Sequence, residues 1–464
     1  MKSINPVGKG ITVKGSFRQW KSIFIHAPAG ITLCLILTHQ SIIASSSFFL
    51  TRVIEAFQHQ RPYQLFLLLY LVAMLIPYVP GCASFVALQS WINRAHHEFV
   101  KRFSCTAYGL ISANRDDKLR VLSESVVARS SFLAIRDYLT FIHGFLGFFL
   151  NSTLSILVLG ILLPGDLLTG YLVTLTLCAA VIVLLRTTIA RKSAETEMQF
   201  ASYGQSLTRI WANTTLGNRY HFEKWSHETN GRAESYYTAS FRLQCLKQVG
   251  NLALALTSLG PTIFLVWRVV VGGHADPALV AAIIVNLTRI FHILNSLSAL
   301  VYQVLDLSSM NARLQVLFAT EQDLLKSREY PTGPVGEMTM NGEQVTSYST
   351  TAQMLMSENI GRFTLRGENG AGKSTFLNYL KGTFGDRALL LPAQQSDLVW
   401  QRMNDAGSTG QCALRQLEEA SSVPDIQVLL LDEWDANLDQ ANRIAVDKML
   451  GALSQEKLIV EIRH

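Results

Sequence analysis

The stretch that decides the fold is a glycine-rich loop in the C-terminal third of the chain, Gly367-Glu368-Asn369-Gly370-Ala371-Gly372-Lys373-Ser374-Thr375. It follows the strand-like segment 362–365 and precedes the helix-like segment 376–380, which is the context that a phosphate-binding loop requires. Glycines let backbone N–H groups close around phosphates at a helix N-terminus, where the helix dipole favours anions. We expect Lys373 to reach the outer phosphates of a nucleotide and Ser374 to hold Mg²⁺. The residues predicted to contact the nucleotide here are Gly367, Asn369, Gly370, Gly372, Lys373, Ser374 and Thr375.

A pair of acids further along the chain fits the same chemistry. The apolar segment 428–431 ends in Asp432 and Glu433. A buried strand that delivers two adjacent acids at its tip suggests Asp432 in the Mg²⁺ shell and Glu433 polarising an attacking water. The alternative interpretation is a strand-end acid pair that faces solvent.

The rest of the chain has the composition of a membrane protein. Hydrophobic residues make up 49% of the 464 residues and charged residues only 16%, whereas a soluble domain carries about 25% charged residues. A disordered, collagen-like or disulfide-stapled chain is therefore excluded. Several apolar runs have the length that spans a bilayer. The six predicted membrane helices are residues 28–50, 63–91, 138–163, 167–185, 249–270 and 278–302.

The predicted fold class is thus an α-helical membrane domain with six transmembrane helices and long cytoplasmic extensions, followed by an α/β P-loop nucleotide-binding domain. The predicted boundaries are a cytoplasmic N-terminal segment at 1–22, the six-helix transmembrane domain at 23–328 and the nucleotide-binding domain at 329–464.

The distribution of Lys and Arg predicts which side of the membrane each connection faces. The short connections after spans one, three and five contain only two basic residues, Arg52 and Arg61. In contrast, residues 93–131 carry seven Lys and Arg, and residues 186–247 carry nine. The positive-inside rule then places both termini and both long connections in the cytoplasm. Because such loops collect cations in any membrane protein, the net charge of +6 gives no reason to expect nucleic acid as a partner.

Both long connections look helical, because they lack proline and are rich in helix-forming residues. Each has one predicted break, at 112–114 in the first and at 213–218 in the second. A single frayed polar loop is the alternative in each case.

Together these features resemble an ATP-binding cassette (ABC) half-transporter of the exporter type, over nearly the whole chain. The segment 407–411, Gly-Ser-Thr-Gly-Gln, resembles the family's signature loop, normally Leu-Ser-Gly-Gly-Gln, although such a composition is also common in turns. The segment 437–439 resembles the loop after the acid pair. His464 occupies the position of the family's switch histidine, with a plain surface histidine as the alternative. Gln394, or else Gln395, resembles the glutamine that senses Mg²⁺.

The resemblance implies ATP and Mg²⁺ as cofactors, with Glu433 and His464 as catalytic residues. It implies Ser374, Gln394 and Asp432 around the metal, and Ser408, Gly410 and Gln411 on the nucleotide. Tyr348 is a candidate for stacking on adenine, with an ordinary strand tyrosine as the alternative.

In this family two chains sandwich each nucleotide, so the expected partner is a second copy or a related half-transporter, in the bilayer of a bacterial inner membrane. The expected function is ATP-driven export of an amphipathic small molecule, peptide or lipid by alternating access. The alternative is a nucleotide-gated subunit that does not pump.

The sequence departs from the family in the cassette domain. Only 35 positions separate Lys373 from Ser408, far fewer than the family usually has, so most of the helical subdomain is predicted to be reduced. Gly407 and Thr409 also replace signature residues.

Polar residues within the predicted membrane spans are the only evidence in the sequence about the transported molecule. On span six, Arg289, His292 and Ser296 share one helical face, which either lines the pathway or makes interhelical hydrogen bonds. The other polar residues at this depth are His39, His143, Asn151, Asn286 and Asn295.

Overall fold

A computed structural model of the chain describes most of its residues. The described residues are 17–114, 119–120, 123–124, 126–162, 165–271, 303, 307, 310–311, 313–324, 333–393, 398–400, 409–436 and 438–463. The chain divides into two compact units. The helical unit comprises Met1–Arg102 and Ser125–Thr320, and the cassette unit comprises Phe103–Glu124 and Glu321–His464.

The helical unit consists of helices, most of them long. In chain order they are α1 (Phe17–Phe24), α2 (Ala27–Gln58), α3 (Gln64–Leu75), α4 (Tyr78–Ala107), α6 (Ser131–Leu162), α7 (Gly165–Leu207), α8 (Ile210–Thr215) and α9 (Arg219–Val271), while the four-residue α5 (Ile111–Asn114) belongs to the cassette unit. Helix α7 packs along α9, and α2 packs against α3 and α6. A further helical stretch covers residues 313–324, across the end of the helical unit.

The predicted spans coincide with these helices over the part of the chain that the structure describes. Spans one, three, four and five fall on α2, α6, α7 and α9, and span two is divided between α3 and α4. The division is at Ile76 and Pro77, where proline cannot donate to a helical hydrogen bond. The sixth predicted span, 278–302, lies outside the described residues. Among the described residues, the helices long and apolar enough to cross a membrane are Ala27–Gln58, Gln64–Ala107 (α3 and α4 taken together) and Ser131–Ser155.

The described residues of both long connections are mostly helical, as predicted, and each connection has a break near the expected place. Helix α4 ends at Ala107 and a turn containing Gly109, with φ at +77°, leads into α5. Helix α7 ends at Leu207, and the short α8 is separated from α9 by a turn at Gly217, with φ at +70°. Left-handed backbone at these two positions favours glycine.

Helix α1 packs against the helical unit through aromatic side chains. Trp91 Nε1 donates a 2.8 Å hydrogen bond to Ile23 O, and the Trp20 ring lies 5.3 Å from that of Phe318. The N-terminal segment predicted at 1–22 therefore ends in an ordered helix.

The cassette unit is built on a six-stranded sheet. Its strands are β1 (Met338–Met340), β2 (Glu343–Gln344), β3 (Gly361–Gly367), β4 (Ala388–Leu391), β5 (Val428–Leu431) and β6 (Leu458–Ile462), in the spatial order β2-β1-β3-β6-β5-β4. Strands β3, β6, β5 and β4 are parallel, and β1 and β2 are antiparallel additions.

Helices cover both faces of this sheet. They are α10 (Tyr348–Ser357), α11 (Lys373–Phe384), α12 (Thr409–Ser422) and α13 (Gln440–Leu453). One core joins β-strand side chains to α10 and α11, and the other joins them to α12 and α13. Strands buried on both faces explain the continuous apolar runs at 428–431 and 458–460. Between β4 and α12 the described residues, 392–393 and 398–400, are not helical.

Candidate functional site

The glycine-rich loop connects the end of β3 to the start of α11. Gly370 and Gly372 have φ of +87° and +103°, a region that side chains disfavour. At Gly367 a Cβ would lie 2.6 Å from the Glu337 carbonyl oxygen, so only glycine fits there. The turn therefore brings backbone N–H groups to the N-terminus of a twelve-residue helix, where an anion is stabilised.

Tyr348 supports this loop from inside the core. Its side chain is 1% exposed, and its hydroxyl donates a 3.0 Å hydrogen bond to Gly372 O. Its ring lies 5.0 Å from Phe376 and 5.8 Å from Tyr379. Tyr348 begins α10 rather than lying in a strand, and its buried ring has no face open to a base. The structure thus gives Tyr348 a supporting position under the loop and not the position expected for adenine stacking.

Lys373 and Ser374 are the first residues of α11. Lys373 Nζ donates to Gly367 O at 2.6 Å and to Glu368 O at 3.2 Å, which holds the two ends of the loop together. Ser374 Oγ donates a 3.1 Å hydrogen bond to Asp432 Oδ1. This contact joins two segments that are 58 residues apart.

The oxygens of Ser374 and Asp432 fit a magnesium ion. Mg²⁺ prefers hard oxygen ligands and is usually held by one or two protein oxygens together with substrate phosphates. A hydroxyl and a carboxylate within 3.1 Å of each other, beside the glycine-rich loop, provide such a pair.

Glu433 turns the chain sharply after β5. It has φ of +47°, an uncommon conformation for a residue with a side chain. Ala436 N donates to Glu433 O at 3.2 Å, which closes the turn. Strain of this kind persists only where surrounding contacts impose it, and the next residue, Trp434, is held in place by the neighbouring strand.

Trp434 is fixed by a buried carboxylate on the neighbouring strand. It is 5% exposed, and its Nε1 donates a 2.9 Å hydrogen bond to Glu461 Oε2. Glu461 is fully buried on β6, in register with Thr364 on β3 and Leu431 on β5. The carboxylate therefore sits in the sheet at the point where β5 delivers the acid pair.

Two arginines compensate the charge of Glu461. Arg362 binds both carboxylate oxygens at 3.0 Å, and Arg463 Nε donates to Oε1 at 2.9 Å. The Thr364 hydroxyl adds a 3.0 Å hydrogen bond. Asp447 on α13 contacts both arginines, and these contacts hold its pKa below the usual range, with the Arg463 hydrogen bond as the largest cause. A buried charge with this many donors satisfies its hydrogen-bonding capacity.

This network was missed in the sequence analysis. The available indication was Glu461 itself, a charged residue inside the apolar run 458–462. Charged residues are almost never fully buried unless they are paired, so a partner on a neighbouring strand could have been sought.

Several predicted site residues cannot be placed. Gln394, Gln395, Ser408, Asn437 and His464 lie outside the described residues. Gly410 and Gln411 fall by their backbone in the first turn of α12. Of the predicted loop after the acid pair, Asp439 is the N-cap of α13, where its side chain accepts a 2.8 Å hydrogen bond from Asn442 N.

The turn between α4 and α5 lies against α11 and β4 within the cassette unit. Tyr108 Oη donates to Asp386 Oδ1 at 3.1 Å, and a cleft of about 490 Å³ separates residues 107–111 from residues that include Lys381. Lys381 Nζ donates to Gly385 O and Ala388 O at 2.8 and 2.7 Å. Burial lowers the pKa of Lys381, and the nearby Asp386 partly offsets this. The turn thus contacts the far end of the helix that begins with Lys373.

The chain thus combines long apolar helices with a mainly parallel sheet that carries a glycine-rich loop. A solved structure with this architecture, a bacterial Atm1-family ABC exporter with ATP bound, is similar to the chain with a TM-score of 0.56. The match covers 94% of this chain and 90% of that one at 12% sequence identity, and it shows a shared fold. No protein-family model matches the chain, and no curated protein matches its sequence.

Proposed function

We propose that the chain is an ATP-driven half-transporter that exports an amphipathic small molecule, peptide or lipid. The observation that carries the proposal is the 3.1 Å hydrogen bond from Ser374 Oγ to Asp432 Oδ1, which joins the glycine-rich loop to the acid pair. Neither segment alone requires a nucleotide. Their contact at the N-terminus of α11 is what phosphoryl transfer from a triphosphate needs.

The residues of the loop would bind and orient ATP. Backbone N–H groups between Gly367 and Gly372 surround the phosphates, and Lys373 exchanges its loop carbonyls for phosphate oxygens. Ser374 and Asp432 would hold Mg²⁺, which neutralises charge on the phosphates when it is bound. Glu433 orients a water molecule for attack on the γ-phosphate and takes up its proton.

Coupling to the membrane would run through the turn at 107–111. This turn contacts the C-terminal end of α11, whose N-terminal end carries Lys373. Helix α4 is continuous from that turn back to Tyr78. A shift of α11 on nucleotide binding would therefore act on α4 through Tyr108 and Asp386.

The proposed assembly is a homodimer, or a heterodimer with a related half-transporter, in a bacterial inner membrane with both termini in the cytoplasm. Each nucleotide would lie between the glycine-rich loop of one subunit and the 407–411 segment of the other. Ser408, Gly410 and Gln411 would contact that nucleotide, and His464 and Gln394 would act at its γ-phosphate and metal. Binding and release would switch the bundle between two states.

ATP turnover by the purified protein tests this proposal. We expect the wild-type protein to hydrolyse ATP and Glu433→Gln to bind ATP with a kcat lower by about a hundredfold or more, as for loss of general-base catalysis. The matched control is Glu456→Gln, an exposed glutamate that should leave the rate unchanged. Equal, near-zero rates in wild type and Glu433→Gln would instead support a nucleotide-gated subunit that does not pump. ATP-dependent accumulation of candidate cargoes in inverted vesicles then identifies the substrate.

A further inference from the structure

A mostly apolar cavity with a few polar groups lies among the membrane-capable helices α2, α4 and α6. It has a volume of about 340 Å³, within the range of small-molecule sites. Most of its wall is apolar, from residues such as Ile36, Ile43 and Phe148, and the polar groups converge on one part of it. Those polar lining residues are His39, Gln40, Ser84, His143 and Asn151.

The hydrogen bonds of Ser84 fix the proton on His143. The Ser84 hydroxyl donates its one proton to Gly81 O at 2.7 Å. Its oxygen lies 3.0 Å from His143 Nε2 and must therefore accept from that nitrogen. In the neutral ring, Nδ1 of His143 is then a hydrogen-bond acceptor.

Other groups at this cavity are buried polar atoms without a partner. Gln40 Oε1 and His39 Nδ1 have none, and neither has Gln303 Oε1, whose side chain lies beside Gly144. Such atoms are costly to leave unpaired. Because an amide oxygen can only accept a hydrogen bond, a ligand that pairs with Gln40 Oε1 or Gln303 Oε1 must present a donor.

Glycines on two helices keep the cavity open. A Cβ on Gly81 would lie 2.5 Å from His39 Nδ1, and one on Gly147 would lie 3.9 Å from Gln40 Nε2. No Asp, Glu, Lys or Arg is among the described residues that line the cavity. An ion would therefore be uncompensated here, at a depth where charges are expensive.

We propose that this cavity binds an uncharged amphipathic molecule that presents N–H or O–H donors beside an apolar group, with Gln40 as a direct hydrogen-bonding contact. The proposal rests on the proposed function only in taking this molecule as the cargo. Amide N–H groups of an apolar peptide and hydroxyl groups of a lipid-like alcohol supply the same chemistry.

Equilibrium binding to the full-length protein in phosphatidylcholine nanodiscs tests the proposal, with empty nanodiscs subtracted and no nucleotide present. The probe is radiolabelled N-acetyl-leucyl-leucinamide, and its matched partner is the analogue with every amide N–H methylated. We expect the methylated probe to bind at least about fivefold more weakly, as for the loss of one hydrogen bond. Decylglycerol and its dimethyl ether form a second pair of probes, which tests hydroxyl donors. The pair with the larger difference in affinity shows whether the ligand's donors are amide N–H or hydroxyl groups.

Substitutions in the cavity test whether the probes bind there. Gln40→Leu should weaken binding of the N–H probe by about fivefold and remove its advantage over the methylated probe. Gln89→Leu, at an exposed position on α4, should change neither. Gly147→Ala should weaken both probes by filling space, whereas Gly30→Ala, with nothing within 4 Å, should not.

The proposal is overturned if both probes bind the wild type equally, or if Gln40→Leu retains the preference for the N–H probe. ATP affinity, measured on every variant, separates the two claims. If the protein binds ATP but does not distinguish the N–H probe from the methylated probe, only the cavity assignment is wrong. If it distinguishes the probes but does not bind ATP, only the proposed transport function is wrong.

Discussion

Trp434 Nε1 donates a 2.9 Å hydrogen bond to Glu461 Oε2, which ties the residue after Glu433 to the last strand of the sheet. Arg463 stacks on the same tryptophan, with its guanidinium carbon 5.3 Å from the ring centroid. One buried carboxylate thereby fixes both the turn that carries Glu433 and the strand that leads to His464.

Glu461→Gln should destabilise the cassette unit strongly. The substitution removes the buried counter-charge that Arg362 and Arg463 share and leaves them only the partly exposed Asp447, and breaking a buried ion pair costs about 3 kcal/mol. Thermal unfolding of the full-length protein followed by near-UV circular dichroism measures the loss. A melting temperature equal to that of the wild type would contradict the structural role of this carboxylate.

Trp434→Phe should affect catalysis more than folding. It removes one hydrogen bond to a charged group, worth about 1.5 kcal/mol, and frees the turn at Glu433. We expect kcat for ATP to fall by about tenfold, as for a small misplacement of a catalytic group, with ATP affinity near that of the wild type. Trp400→Phe is the control, because its buried Nε1 has no partner and its loss should be neutral. Equal kcat values for the two variants would argue against positioning by Trp434.

Gly372→Ala should disrupt the loop more than Gly370→Ala. Both residues have positive φ, which costs an alanine about 1–2 kcal/mol. Only at Gly372 would the Cβ also meet Tyr348 Oη, at 2.5 Å, whereas Gly370 has open space around it. Because the next atoms at Gly372 are 3.8 Å away, adding Tyr348→Phe should restore part of the lost ATP affinity. Binding of a fluorescent ATP analogue measures all four proteins, and equal losses in both alanine variants would contradict the geometry.

Acid should destabilise the wild type more than Asp447→Asn. The pKa of Asp447 is lowered by its hydrogen bond with Arg463 and by Arg362. A carboxyl with a depressed pKa stabilises the fold above its unfolded pKa, and this contribution is lost as pH falls toward the folded value. The wild type should therefore lose more melting temperature than Asp447→Asn below about pH 4. Asp425→Asn, at an exposed position, should follow the wild type, and parallel curves for all three proteins would refute the assignment.

The helices and the central strands could be predicted from local patterns. Apolar runs of bilayer length predicted α2 and α6, and the sequence around Lys373 predicted the strand, loop and helix that the structure shows. These features depend on near neighbours in the chain, so their periodicity and turn residues are sufficient.

The surroundings of the site could not be predicted in the same way, because they depend on strand order. Arg362 reaches Glu461 only because β3 and β6 are adjacent, although 99 residues separate them. Tyr348 lies under the loop because α10 packs on that face of the sheet, a tertiary contact that its local sequence does not encode.

The most direct test of the central claim is ATP binding at Lys373. Isothermal titration of the reconstituted protein should show saturable binding of ATP with Mg²⁺ by the wild type and by Lys448→Ala, an exposed lysine on α13. Lys373→Ala should bind at least about tenfold more weakly, because it loses a charge-assisted contact with the phosphates. Unchanged affinity in Lys373→Ala would contradict the account, since the glycine-rich loop would then not be the nucleotide site.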